Sequence, residues 1–242
     1  ELDGGSVVLT LFFADVKVPP ARRRARWPVP LVVRSDHAGE IRVERFLVDK
    51  ASDTITLPAT APCAWYFGNA EAGGFYRVLH DPANRAVLVG QLRGALSAVE
   101  RLALAGDQWA LVRAGRATIE SFLDVADALG EETDYDVLDG LAGPLGLIDD
   151  QIVVPGSPVQ QLFRDWVVRR FEPGLEQLGW SPAPGEDDAV RLRRASLVRL
   201  VGGIAEAPAV MAEARRWLDR YLLDRGVLEP NLADPVVGLA AR

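Results

Sequence analysis

Residues 69–81 read NAEAGGFYRVLHD, and the hydrophobic period of the sequence changes at this stretch. We predict a turn at residues 70–74, because its two glycines can adopt the positive φ angles that other residues avoid. Residues 75–79 are predicted to form the strand that follows, with Arg77 on the face opposite to Tyr76. We expect Arg77 to anchor the β part of the fold or its junction with the part that follows.

Upstream of this stretch the sequence has the period of two that is typical of half-buried strands. In residues 40–48, Ile41, Val43 and Leu47 share one parity, so we expect these three side chains to face the core. Further strands are predicted at residues 6–13, 27–34, 55–57 and 65–67. Short strands in this number, joined by polar turns, predict an antiparallel β-sandwich.

Downstream the apolar residues recur with the period of a helix. The clearest predicted helix follows Ser157, whose side chain can cap it, and Gln160 is placed for a capping box. Pro173 should kink or split this helix, and Gly179 should end it.

The predicted fold class is therefore an antiparallel β-sandwich followed by an α-helical bundle or an α-solenoid, which is an α-superhelix. We assign the β-sandwich domain to residues 1–81 and the helical domain to residues 82–242. Four helices are expected between residues 82 and 154. Because the sequence opens without a methionine and strand-like residues begin almost at once, we expect a piece of a longer protein.

The composition limits the classes of function. The 242 residues carry a formal net charge of −7, which disfavours nucleic acid as a partner, because phosphates need a basic surface. No apolar run has the roughly 18–20 residues of a membrane span, so we expect no membrane contact. The single cysteine, Cys63, excludes an intrachain disulfide and fits a reducing, cytoplasmic location.

The sequence contains few residues that suggest chemistry. His37 and His80 have neither HExxH nor zinc-type spacing, so we assign no catalytic, cofactor-binding or metal-binding residue to this chain. A nucleophilic triad of Cys63, His80 and Asp81 is one hypothesis, since such triads assemble in space. A buried strand cysteine and a strand-to-helix corner explain the same residues more simply.

Charged and glycine-rich segments also have structural interpretations. The arginines at residues 22–26 can meet an acidic partner, but a solvated hairpin loop is the simpler explanation in an acidic chain. The glycine pair at residues 73–74 lacks the spacing of a phosphate-binding loop. The acidic pairs at residues 131–132 and 149–150 are assigned to capping or solvation rather than to acid–base chemistry.

The motif residues resemble the aminopeptidase N family of zinc metallopeptidases, in which a "W…N…G(F/Y)YRV.YD" run forms the last strands of a β-sandwich. The matching positions are Trp65, Asn69, residues 74–78 and Asp81. A second set resembles the family's "DR..L..D...LA.AG" helices, at Arg101, Asp107, Leu111, Ala114 and Gly115. With ERFLVD at residues 44–49 and LGW at residues 178–180, the resemblance covers roughly residues 9–203.

The resemblance implies the layout of that family: an N-terminal β domain, a thermolysin-like catalytic domain, the sandwich, and a HEAT-like helical domain that covers the active site. This chain resembles only the sandwich and the first part of the helical domain. The family's GxMEN loop, HExxH motif and downstream glutamate ligand have no counterpart here, so no catalytic role is carried over. Zinc would belong to the missing catalytic domain, and the partners would be that domain and the peptide substrate.

The sequence departs from the family pattern at two points. His80 stands where the family usually has tyrosine, which favours a structural role for this histidine. The chain ends at Arg242, where the family's helical array usually continues, so we expect a truncated helical domain. Two alternatives remain: a protein-binding scaffold from a catalytically dead parent, and a standalone cysteine hydrolase that uses Cys63.

Overall fold

The computed structural model describes residues 2–3, 6–10, 28–50, 52–57 and 61–242 of the chain. The chain forms two compact units, Glu1–Val125 and Ala126–Arg242. The arginine-rich stretch at residues 22–26 lies outside the described residues, as do residues 11–13 of the first predicted strand.

Two antiparallel sheets of three strands form within the described part of the first unit. One sheet has the order β1 (Leu2–Asp3), β2 (Ser6–Thr10) and β5 (Ser52–Thr56). The other places β3 (Val29–His37) between β4 (Glu40–Val48) and β6 (Cys63–Phe67). Leu31 and Val33 of β3 belong to the same buried cluster as Ile55 of β5, so the two sheets share one core.

The prediction that Ile41, Val43 and Leu47 of β4 face the core is wrong. Ile41, Val43 and Leu47 expose 53%, 44% and 69% of their surface. Phe46 packs against the core instead, directly opposite Leu31 in the antiparallel register. The alternating pattern was misleading because β4 carries apolar residues on both of its faces.

The predicted strand at residues 75–79 is also wrong, since these residues belong to no sheet in the structure. Their side chains still alternate in exposure, so Tyr76 is half-buried and Arg77 is exposed, as the parity predicted. The turn before them contains a short 3-10 helix, Ala70–Ala72, and its positive φ angles occur at Glu71 and Ala72 instead of at the two glycines.

Helices form most of the remaining chain. Their bounds are α1 (Pro82–Gly90), α2 (Leu92–Ala95), α3 (Ala98–Arg113), α4 (Ile119–Ala128), α5 (Tyr135–Leu147), α6 (Pro158–Leu178), α7 (Asp188–Val198), α8 (Pro208–Leu223) and α9 (Pro230–Ala240). Between residues 82 and 154, where four helices were expected, α2 is an additional single turn. The prediction of a β part followed by an α part is confirmed, whereas the boundary after Asp81 and the HEAT-like arrangement stay predictions.

Helix α6 begins and ends where the sequence predicted. The Ser157 side chain accepts a hydrogen bond from the Gln160 N–H, and Gly179 ends the helix with a φ of 62°. The Gln160 side chain accepts from the N–H of Gly156, one residue before the cap, in place of the reciprocal capping-box bond. A kink or a split was predicted at Pro173; the split is wrong, because α6 runs through this residue, and the kink stays a prediction.

The core of the second unit contains a fully buried arginine, Arg194 of α7. Its guanidinium donates to both carboxylate oxygens of Glu186, at 2.7 and 2.8 Å. It also donates to the backbone carbonyls of Gly179, at 2.8 Å, and Leu178, at 3.3 Å. One side chain thus joins the end of α6 to the segment that precedes α7.

Candidate functional site

The motif residues after β6 form a turn that is closed by side-chain hydrogen bonds. The amide oxygen of Asn69 accepts from the Gly74 N–H at 2.8 Å, and its amide nitrogen donates to the Gly74 carbonyl at 3.0 Å. The Tyr76 hydroxyl donates to the Gly68 carbonyl at 2.9 Å and accepts from the Val32 N–H at 3.3 Å. Both side chains therefore act on backbone groups, which makes them structural elements of the turn.

Arg77 and Asp107 join the same turn to helix α3. The Arg77 Nη1 lies 2.8 Å from one oxygen of the Asp107 carboxylate, and the Val78 N–H donates to the other at 3.0 Å. The Asp107 side chain is only 4% exposed, whereas that of Arg77 is 60% exposed. Burial raises the pKa of Asp107 above its ordinary value, although both donors oppose this shift.

A second buried carboxylate, Glu100 of α3, joins the sheet to the helices. It accepts from Nη2 of Arg34 on β3 at 2.9 Å and from the Glu71 N–H at 3.0 Å. It also forms a capping box with Ser97 at the start of α3. Sequence reasoning did not single out Glu100, although the spacing of Ser97 and Glu100 is the signature of a capping box.

His80 and Asp81 form the corner between the turn and α1. The ring of His80 is buried and stacks on Phe67, with the ring centroids 5.5 Å apart. Asp81 caps α1 by accepting from the Asn84 N–H at 2.9 Å, and it also accepts from the Tyr66 hydroxyl at 3.1 Å. Burial opposes ionisation of Asp81, but these two bonds hold its pKa below the ordinary value.

The structure gives the three residues of the hypothetical cysteine triad separate roles. The Cys63 thiol donates to the Trp65 carbonyl at 3.2 Å, and burial raises the pKa of this thiol, which disfavours the nucleophilic thiolate. Across the strands Cys63 lies opposite His37. His80 is stacked in the core and Asp81 caps a helix, so neither is arranged to activate Cys63.

Of the acidic residues that the sequence assigned to capping or solvation, Glu132 has partners of the capping kind, whereas the assignment is wrong for Asp149, which forms a buried ion pair. Asp149 is buried and receives the Arg164 guanidinium at 2.7 Å. Glu132 accepts from the N–H groups of Thr133 and Asp134, the two residues that follow it. Among the described residues, no group of three histidine, cysteine, aspartate or glutamate side chains is arranged to hold a metal ion.

The length and hydropathy of the helices bear on whether they could span a membrane. No single helix in the described ranges is long and apolar enough to cross a membrane. One pair, Asp188–Ile204 with Pro208–Leu223, satisfies the length and composition together but is bent by 117°.

The burial of His80 predicts a stability that depends on pH. Burial lowers the pKa of His80 from 6.5 to about 4, so between these values the unfolded chain binds a proton that the folded chain does not. The contribution of His80 is therefore complete above pH 6.5 and decreases as the pH falls towards 4, by up to about 3 kcal/mol. We expect the free energy of unfolding, measured in urea, to fall more for the wild-type protein than for His80→Phe as the pH decreases over this range. Parallel pH profiles for the two proteins would contradict this.

The close approach of Gly74 to Tyr76 predicts a sensitive position. A Cβ at Gly74 would overlap the Tyr76 ring, which cannot move without losing the hydroxyl bonds to Gly68 and Val32. We expect Gly74→Ala to lower the free energy of unfolding by about 1–3 kcal/mol. Gly73→Ala is the matched control, because its Cβ would lie 3.9 Å from the nearest atom. Equal urea midpoints for the two variants would refute the prediction.

The described elements thus run from the strands of a sheet through a hydrogen-bonded turn into a series of helices. A model of the ERAP1-like C-terminal domain matches residues 65–242, which include the turn, Glu100 and Asp107. The chain therefore belongs to the family of ERAP1-like C-terminal domains.

The chain is similar in sequence to several aminopeptidases. The puromycin-sensitive aminopeptidase of Caenorhabditis elegans is 25% identical over 250 aligned positions, which cover 99% of this chain and 26% of the relative. Aminopeptidase M1-A of Oryza sativa subsp. japonica is 27% identical over an alignment that covers 89% of this chain and 25% of the relative. Endoplasmic reticulum aminopeptidase 2 of Homo sapiens is 24% identical over an alignment that covers 86% of this chain and 22% of the relative. The chain thus spans about a quarter of the length of these relatives.

Proposed function

We propose that this chain is the non-catalytic C-terminal region of a longer zinc aminopeptidase. In that parent it supports the catalytic domain and shapes and covers the chamber in which the peptide substrate lies. The parent removes N-terminal residues from peptides, with zinc held by the catalytic domain. The family match over residues 65–242 is the observation that carries this proposal.

The geometry of the motif residues supports a structural role. Asn69 and Tyr76 bind backbone groups of their own unit, and the buried carboxylates of Glu100 and Asp107 each accept from an arginine and a backbone N–H. Both carboxylates are buried and their oxygens already accept from donors of this chain, so neither presents a free oxygen to a substrate. The described residues also offer no donor set that fits zinc. We therefore derive no catalytic step in this chain.

The partners in this proposal are the catalytic domain of the same polypeptide and the peptide substrate. The net charge of −7 supports a protein without nucleic-acid partners, and we further propose a cytoplasmic location without membrane contact. The helical domain, from residue 82 onward, is proposed to be HEAT-like.

Zinc analysis and an aminoacyl-anilide assay test the proposal. We expect the isolated chain to hold no stoichiometric zinc and to give no turnover, and the longer protein to do both. Stoichiometric zinc with turnover in the isolated chain would overturn the assignment. A longer protein without zinc or activity would favour a protein-binding scaffold from a catalytically dead parent.

A further inference from the structure

The outer face of the sheet β4-β3-β6 is covered on one side and open on the other. On β6, Trp65 and Phe67 point to this face and are buried. At the opposite margin, Ile41, Val43 and Leu47 of β4 point to the same face and are exposed. We refer to these three residues of β4 as the apolar stripe.

The apolar stripe does not have the character of a surface that faces water. An antiparallel strand with one solvated face places polar residues on that face, whereas a strand that is covered on both sides has apolar residues at both parities. Strand β4 carries apolar residues at both parities: Phe46 and Val48 share the inner face with Arg42 and Glu44, and the apolar stripe lies on the outer face. The exposed Pro30, which lies opposite Leu47 on β3, extends the apolar surface across the strand pair.

Charge adds a second requirement for whatever covers this surface. Arg45 lies between Val43 and Leu47 on the outer face and is exposed. A covering surface therefore needs apolar side chains for the stripe and a carboxylate for Arg45, because an unpaired charge in a buried interface is costly.

We propose that the apolar stripe is where the part of the longer polypeptide that precedes this chain docks. The inference rests on the proposed function, because it takes the chain as the C-terminal piece of an aminopeptidase. The relatives are about four times as long as this chain, so a parent of their length supplies enough polypeptide for a permanent cover. The docking surface presents apolar side chains with an aspartate or glutamate opposite Arg45.

Thiol labelling of a Val43→Cys variant tests this docking. In the isolated chain the new thiol is expected to react with a maleimide at the rate of an exposed cysteine. In the longer protein we expect labelling at least tenfold slower, with Phe75→Cys as a reference for an exposed position of the same unit outside the stripe. Cys63 and any further cysteine of the longer protein are replaced by serine, so that the introduced thiol is the one that is labelled.

Other labelling results contradict the docking proposal. Equal labelling rates in the two proteins mean that the preceding polypeptide does not cover the stripe. Slow labelling in the isolated chain that depends on its concentration indicates a second copy as the occupant, and slow labelling at every concentration indicates a cover within this chain. Zinc content and turnover of the longer variant separate the two proposals. Fast labelling in an active zinc enzyme refutes only the docking, and slow labelling in a zinc-free, inactive protein refutes only the proposed function.

A charge variant tests the second half of the inference. Arg45→Glu in the longer protein should accelerate labelling of the Val43→Cys thiol, because it places two carboxylates opposite each other and opens the interface. Arg93→Glu, a change of the same charge on helix α2, is the control and should leave the rate unchanged. An Arg45→Glu protein that labels as slowly as the control would show that no carboxylate faces this position.

Discussion

Replacing Arg194 with methionine is expected to lower the free energy of unfolding by about 3–5 kcal/mol, the largest effect that we predict. Arg194 is fully buried, and its loss removes four hydrogen bonds, two to Glu186 and two to backbone carbonyls at the end of α6. Methionine fills most of the volume but donates no hydrogen bond, so the carbonyls of Leu178 and Gly179 are left without this partner. Urea unfolding followed by circular dichroism measures the loss.

Arg199→Met is the matched control for this prediction. Arg199 is partly exposed and lies 3.5 Å from Asp139, so the same substitution there should change stability by less than about 1 kcal/mol. The double variant Arg194→Met with Glu186→Gln should recover part of the loss. The second substitution removes the carboxylate charge that Arg194→Met alone leaves without a positive partner. If the Arg194 and Arg199 variants unfold at the same urea concentration, the buried arginine does not stabilise the second unit as inferred.

Asp107→Ala is expected to lower the free energy of unfolding by about 3 kcal/mol, because one carboxylate bonds both the Val78 backbone and the Arg77 side chain. Arg77→Ala should cost less, about 1 kcal/mol, since its side chain is mostly exposed and the Val78 N–H keeps its acceptor. A larger effect at Asp107 than at Arg77 would show that the backbone bond, more than the ion pair, ties the turn to α3. Urea unfolding of the single and double variants gives the coupling between the two residues.

The control for Asp107 is Asp124→Ala in the same unit. Asp124 is exposed, and its carboxylate lies at the long distance of 3.8 Å from the Arg85 guanidinium. Its removal should therefore have little effect on stability. A result in which Asp107→Ala is no more harmful than Asp124→Ala would contradict the role of Asp107. Reduced substrate turnover of an Arg77→Ala parent with unchanged stability would instead assign Arg77 to substrate handling.

The local signals in the sequence predicted the ends of elements well. Ser157 and Gly179 mark the bounds of α6 because a capping hydroxyl and a positive φ are properties of single residues. The change from strands to helices was also predictable, since the hydrophobic period is read over a short window. The motif at residues 69–81 therefore marks the change from strands to helices between β6 and α1, although its residues 75–79 belong to no sheet.

The failures have a physical cause in common, which is contact between residues far apart in the sequence. The inner face of β4 is decided by its pairing with β3, and its own alternation is ambiguous because both faces are apolar. Residues 75–79 pair with no strand in the described part of the chain, and the Val78 N–H donates to Asp107 on α3, 29 residues away. The partners of Glu100 lie on β3 and in the turn, so its role as a junction carboxylate has no local signature.

The edge of strand β6 shows how this unit limits sheet growth. The Asn84 side chain of α1 accepts from the Tyr66 N–H at 2.9 Å and donates to the Tyr66 carbonyl at 2.8 Å, the two bonds that a neighbouring strand would make. One amide thus substitutes for a strand at the position where an unpaired edge invites pairing with another chain. Addition of a foreign strand at Tyr66 requires Asn84 to leave first, so protection against edge-to-edge aggregation at this margin depends on helix α1 remaining folded.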